Sequence, residues 1–138
     1  MADELVVWKD DFLVGNSVID GQHRELVRIT NECWAGYRTG GIIAKVSFLK
    51  AIQGAVLYAK THFATEEELM RKARYPLLAV HKKQHEDFAA EVAAQIRVFE
   101  SEDNPDPAAF VEYLTHWIAE HIANSDQKYI PYIAKVEP

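Results

Sequence analysis

A chain of 138 residues suits one domain with a core of its own, and its 49% hydrophobic, 26% charged composition is that of an ordinary water-exposed globular protein. A net charge of −6 without any basic cluster argues against nucleic acid or an anionic membrane surface as partner. Met1-Ala-Asp-Glu-Leu5 lacks the features of a signal peptide, and no apolar run approaches the ~20 residues that span a bilayer, so a cytoplasmic, monomeric protein is expected.

Residues 1 to about 16 read as an extended arm, anchored by Trp8, Phe12, Leu13 and Val14 and closed by the turn signal Gly15-Asn16. Ser17-Val-Ile-Asp20 resembles a capping box with a shortened acid, and predicts a helix over about 17–39. Its inner stripe holds His23, Leu26, Val27, Thr30, Cys33 or Trp34, and Tyr37, until Gly40-Gly41 stops it. Cys33, the single cysteine, reads as a buried packing thiol of a reducing compartment. A second helix, about 43–73, carries Leu49, Ile52, Val56, Ala59, Phe63, Glu66 and Met70 at steps of three and four.

Tyr75-Pro76 breaks that pattern, and Pro76 suits the first turn of a third helix over about 76–100. Its stripe is Leu77, His81, His85, Phe88, Val92, Ile96 and Phe99. Asn104-Pro-Asp-Pro107 is a loop, with Asp106 as N-cap and Pro107 opening a fourth helix over about 107–130. That helix carries Phe110, Leu114, Trp117, Ile118, His121, Ile122 and Ser125, and Pro131 should end or kink it. Strand-like alternation is absent. The expectation is one all-α domain over 1–138, an up-down-up-down four-helix bundle with an extended N-terminal arm.

Chemistry enters with His23, His62, Glu66, His81, His85, His121 and Asp126, spread over all four helices. His62 with Glu66, and His81 with His85, are four apart and share a helical face. A carboxylate on an inward face is costly to bury unless it is paired or metal-bound. His121 and Asp126 are five apart, about 140° around an ideal helix, so either Asp126 reaches in from the flank or the helix widens locally. Two six-coordinate metals offer twelve positions. Five imidazoles, two bridging carboxylates and one bridging oxide or hydroxide fill eleven, leaving one open for a small diatomic ligand. Imidazole with carboxylate suits iron or manganese, whereas a four-coordinate zinc would strand several of these groups. No histidine has a glutamate three residues before it, so the Glu-x-x-His pattern of carboxylate-rich di-iron oxidases is missing.

The segments Ile19-Asp-Gly-Gln-His23, His62-Phe-Ala-Thr-Glu66-Glu67, His81-Lys-Lys-Gln-His85 and Trp117-Ile-Ala-Glu-His121-Ile-Ala-Asn-Ser-Asp126 together resemble the hemerythrins, in particular their bacterial single-domain branch. The resemblance runs from Trp8 to about Tyr132. It implies that His81, His85 and His121 ligate one saturated iron, that His23 and His62 hold a second with an open position, and that Glu66 and Asp126 bridge them. It implies end-on capture of dioxygen at the open iron, with reduction to a hydroperoxide that takes its proton from the bridging hydroxide. Leu26, Phe63, Trp117 and Ile118 match the family's apolar ligand pocket, and Tyr129 matches a tyrosine packed behind the ligands.

Other residues read more plainly. His116 should be solvated or cap a helix, and Glu67 and Glu68 should be solvated beside Arg71 and Lys72. Leu26, Phe63, Trp117 and Ile118 would be core residues even without a cofactor. The function expected is reversible dioxygen binding for storage, transport or delivery to an oxygen-consuming enzyme or membrane complex, without catalysis. Two alternatives differ in kind. One is an oxygen or redox sensor acting through a partner, although the chain ends at Pro138 with no signalling output attached. The other is an enzyme handling peroxide or nitric oxide, for which no general acid or base is evident beside the pocket.

Overall fold

The computed structural model describes residues 4–103 and 105–134, so Asn104 of the expected loop and the first three residues of the arm lie outside the described residues. Four long helical stretches form a bundle: α1 is Ser17–Thr39, α2 Gly41–Lys72 and α3 Leu78–Ser101. The fourth begins as α4, Ala108–Trp117, and continues as a π-helix over Ile118–Ser125. A 3₁₀ turn, Asp126–Tyr129, and a short α5, Ile130–Ile133, complete it. No strand occurs among the described residues. α1 packs on α2 and α4, and α2 on α3.

The helix starts show local rules at work. Asn16, not Ser17, caps α1: its side-chain oxygen accepts from Val18 and Ile19 N, both at 3.1 Å. Asp20 is thereby one residue too far along for a capping box. It reaches back to the arm, accepting from Val14 N at 2.8 Å and Gly15 N at 3.2 Å. Gly40 and Gly41, at φ 80° and 60°, make the reversal into α2 in a backbone region that side chains disfavour. Pro76 lies in the turn before α3 rather than in its first turn, because α3 begins at Leu78. Asp106 accepts from Ala108 N at 2.9 Å at the start of α4. Pro131 falls in the first turn of α5, where a missing N–H costs nothing, so the helical run passes through it.

The arm is bound to α1 through Asn31, whose amide accepts from Val6 N at 2.9 Å and donates to Val6 O at 2.8 Å. A 3₁₀ turn, Asp10–Phe12, buries Phe12. α2 contains an 18-residue stretch of mean hydropathy 1.4, long and apolar enough by itself to cross a membrane, contrary to the expectation from sequence. The reason is that both its faces are apolar. Its inner face is core, while Ile42, Val46 and Leu57 stand exposed on its outer face.

The core has two parts. A large cluster includes Leu26, Phe48, Tyr58, Phe63, Phe88, Phe110, Trp117, Ile118 and Ile122. A smaller one holds Val14, Ile19, Met70, Tyr75, Tyr129 and Ile133. His23, Glu66, His81, His85 and Asp126 fall along their helices between residues of the two clusters, while His62 and His121 stand at the edge of the large one. Ile19, His23, Leu26 on α1 and Phe63, Glu66, Met70 on α2 show the order. A buried polar layer therefore divides the bundle.

Candidate metal centre

The first three helices deliver their parts of this layer by ordinary helical spacing, and the fourth by a π-helix. α1 supplies His23, α2 His62 and Glu66, α3 His81 and His85, and the fourth stretch His121 and Asp126. All seven are buried: His81, His85 and His121 are at most 4% exposed and the other four not at all. They form two groups, Glu66-His81-His85-His121 and His23-His62-Glu66-Asp126, in which the ligand atoms lie within 4.8 Å of one another.

All five imidazoles turn Nε2 inward. The Nε2 atoms of His23 and His62 are 3.0 Å apart, and those of His81 and His121 lie 2.7 and 3.0 Å from Asp126 Oδ1. Asp126 Oδ2 is 3.1 Å from His23 Nε2. Glu66 is split the same way: Oε1 lies 3.1 Å from His85 Nε2, and Oε2 lies 3.4 Å from His62 Nε2. Each carboxylate thus shows one oxygen to the three-imidazole group and the other to the two-imidazole group.

The π-helix makes this possible. Its i→i+5 pattern widens the turn, so His121 and Asp126, five apart, come to one face. Of the two solutions open from spacing, local widening is the one adopted.

Residues behind the ligands fix the rings. His62 Nδ1 is 2.6 Å from Gln22 Oε1, and His85 Nδ1 is 2.7 Å from Glu67 Oε2. Each oxygen holds the proton on Nδ1 and leaves the Nε2 lone pair facing inward. Glu67 is therefore not merely solvated, whereas Glu68 does pair with Arg71 at the surface. Tyr129 OH donates to Glu66 Oε2 at 2.5 Å. Leu26, Phe63, Trp117 and Ile118 all lie in the large core cluster, and His116 is exposed. Tyr58 and Gln22 are residues at the centre that the sequence does not single out. Tyr58 is buried, and its ring stacks on His62 with centroids 4.6 Å apart.

Charge couples the layer. Burial works against protonating His23 and His81, yet hydrogen bonds with Asp126 and Glu66 override it and push both up to about 9. Burial lowers His121. Burial and the Glu66 charge would raise Asp126, and burial would raise Glu66. Their imidazole neighbours hold both well below the usual carboxylate range.

The donor set fits a metal pair. Glu66 Oε1, Asp126 Oδ2, His85 Nε2 and His121 Nε2 are buried and, although they lie 3.0 to 3.1 Å from neighbouring ligand atoms, make no well-aligned hydrogen bond. Carboxylate oxygens and imidazole nitrogens that converge without protons between them are what divalent cations satisfy. Imidazoles ligate a metal only when neutral, so His23 and His81 would release any proton they hold when a metal binds.

Fold and site together define a helical-bundle metalloprotein with a buried histidine and carboxylate centre. Residues 14–133 match the family model of the hemerythrin HHE cation binding domain. A bacteriohemerythrin of Stenotrophomonas maltophilia is 37% identical over 131 residues, covering 91% of this chain and 79% of that protein. One from Pseudomonas aeruginosa is 35% identical with the same coverage of both chains. A crystal structure of a hemerythrin with a leucine-to-tyrosine substitution superposes with a TM-score of 0.77 at 25% identity, over 96% of this chain and 99% of that one. The chain belongs to the hemerythrin family.

Proposed function

We propose that this protein binds dioxygen reversibly at a pair of iron ions, for storage, transport or delivery to an oxygen-consuming enzyme or membrane complex. One observation carries the reading: Glu66 and Asp126 each divide their two oxygens between a group of three imidazoles and a group of two. Two metals held by these residues would have unequal protein ligation, three imidazoles against two, which would leave the poorer one able to take a small ligand. His81, His85 and His121 would hold the saturated iron, and His23 and His62 the open one, with Glu66, Asp126 and an oxide or hydroxide between them. The iron pair supplies two electrons and the vacant position that reversible capture of dioxygen requires.

The chain's own residues do the rest. Leu26, Phe63, Trp117 and Ile118 form an apolar wall that keeps water and protons from the centre, which slows irreversible oxidation. Tyr129 holds Glu66 in orientation through its 2.5 Å hydrogen bond. The acidic composition and the buried Cys33 suit a cytoplasmic protein, which acts as a binder rather than an enzyme.

The test is to load the chain with ferrous iron without air and then admit dioxygen. Two irons per chain, one dioxygen taken up per pair and a visible band that fades on removing oxygen are expected. Iron that oxidises once, without recovery of the colourless state, overturns the proposal.

A further inference from the structure

Three aromatic rings cover the metal centre on the side of the large core. Tyr58 stacks on His62 at 4.6 Å and 16°, Phe63 on His85 at 3.8 Å and 4°, and Trp117 on His121 at 3.9 Å and 12°. Of the three, Tyr58 alone carries a hydroxyl. Its oxygen lies 3.5 Å from Trp117 Nε1, which donates to it. The phenol therefore runs from the ring of His62, in the two-imidazole group, to the indole of Trp117 in the apolar wall.

A phenol oxygen that accepts one hydrogen bond still has its own proton to give. Among the described residues no acceptor takes it. The other tyrosine at the centre makes the contrast: Tyr129 spends its proton on Glu66 Oε2. A buried donor left unused is costly unless something enters to accept.

We infer that Tyr58 donates a hydrogen bond to the small ligand captured beside His62, favouring ligands that carry an acceptor lone pair. This rests on the reading of the site as a di-iron centre with one open position.

Tyr58→Phe removes one oxygen and keeps the ring stacked on His62, so the fold should persist, as circular dichroism would check. The probe is azide added to the oxidised iron-loaded protein, read by the infrared azide stretch in H₂O and D₂O. The unaltered protein should show a D₂O shift that is absent in Y58F. Iron content should stay the same, and azide should leave roughly three- to tenfold faster. Identical shifts and release rates in both proteins would overturn the role of Tyr58 and leave the di-iron reading standing. Two irons with no azide binding in either protein would overturn the open position itself, and the inference with it.

Discussion

The two halves of the metal layer share Glu66 but are supported differently. The half with three imidazoles is backed by a carboxylate, since Glu67 holds His85 at 2.7 Å. The half with two is backed by an amide, since Gln22 holds His62 at 2.6 Å. A carboxylate partner makes an imidazole a stronger base and ligand, while an amide fixes its orientation without adding charge. On the proposed reading, one metal would receive more ligands and more donation than the other. Ligand count and supporting charge would then favour the same side for the proposed capture of dioxygen.

Glu66→Ala removes one of the two carboxylates that reach both halves and should have the largest effect. Iron content should fall from two per chain to below one, as measured by metal analysis after reconstitution. Full retention would show that Glu66 does not bridge. Glu67→Ala should act on one half only, with about 10- to 100-fold weaker binding of one of two ferrous ions in a titration. Equal weakening of both would erase the distinction between the halves. Gln22→Ala should weaken the other ion, by about tenfold, because it removes orientation but no charge. Ile118→Thr should speed autoxidation several-fold in air while iron stays at two per chain, and an unchanged rate would remove Ile118 from the wall. The smallest effect concerns Cys33, whose thiol burial pushes up to about 12. At pH 8 it should stay protonated and resist thiol reagents in the folded protein, reacting only on unfolding.

Much of this was legible in the chain. His62 with Glu66, and His81 with His85, declared themselves because a four-residue step puts both side chains on one helical face. Asp126 was harder, since its fit depends on a π-helix that three- and four-residue steps do not encode. Glu67 was misread for a related reason: it sits one residue past an inward carboxylate and looks outward until α3 brings His85 against it. Gln22 contacts His62 across two helices, which no local pattern reveals. Tyr58 did have a signal. It stands four before His62 on the same stripe, but an aromatic there reads as core until its hydroxyl is placed beside Trp117. At the first helix start, Asn16 took the cap expected of Ser17, because its amide oxygen reaches two backbone N–H groups and Asp20 lies one residue too far.

The inequality of the two metals is tested most directly by Mössbauer spectroscopy of the chain loaded with iron-57 and exposed to dioxygen. Two components of equal area, with two irons per chain and reversal on removing oxygen, are predicted. A single component, or one iron per chain, would contradict a shared site with one saturated and one open metal.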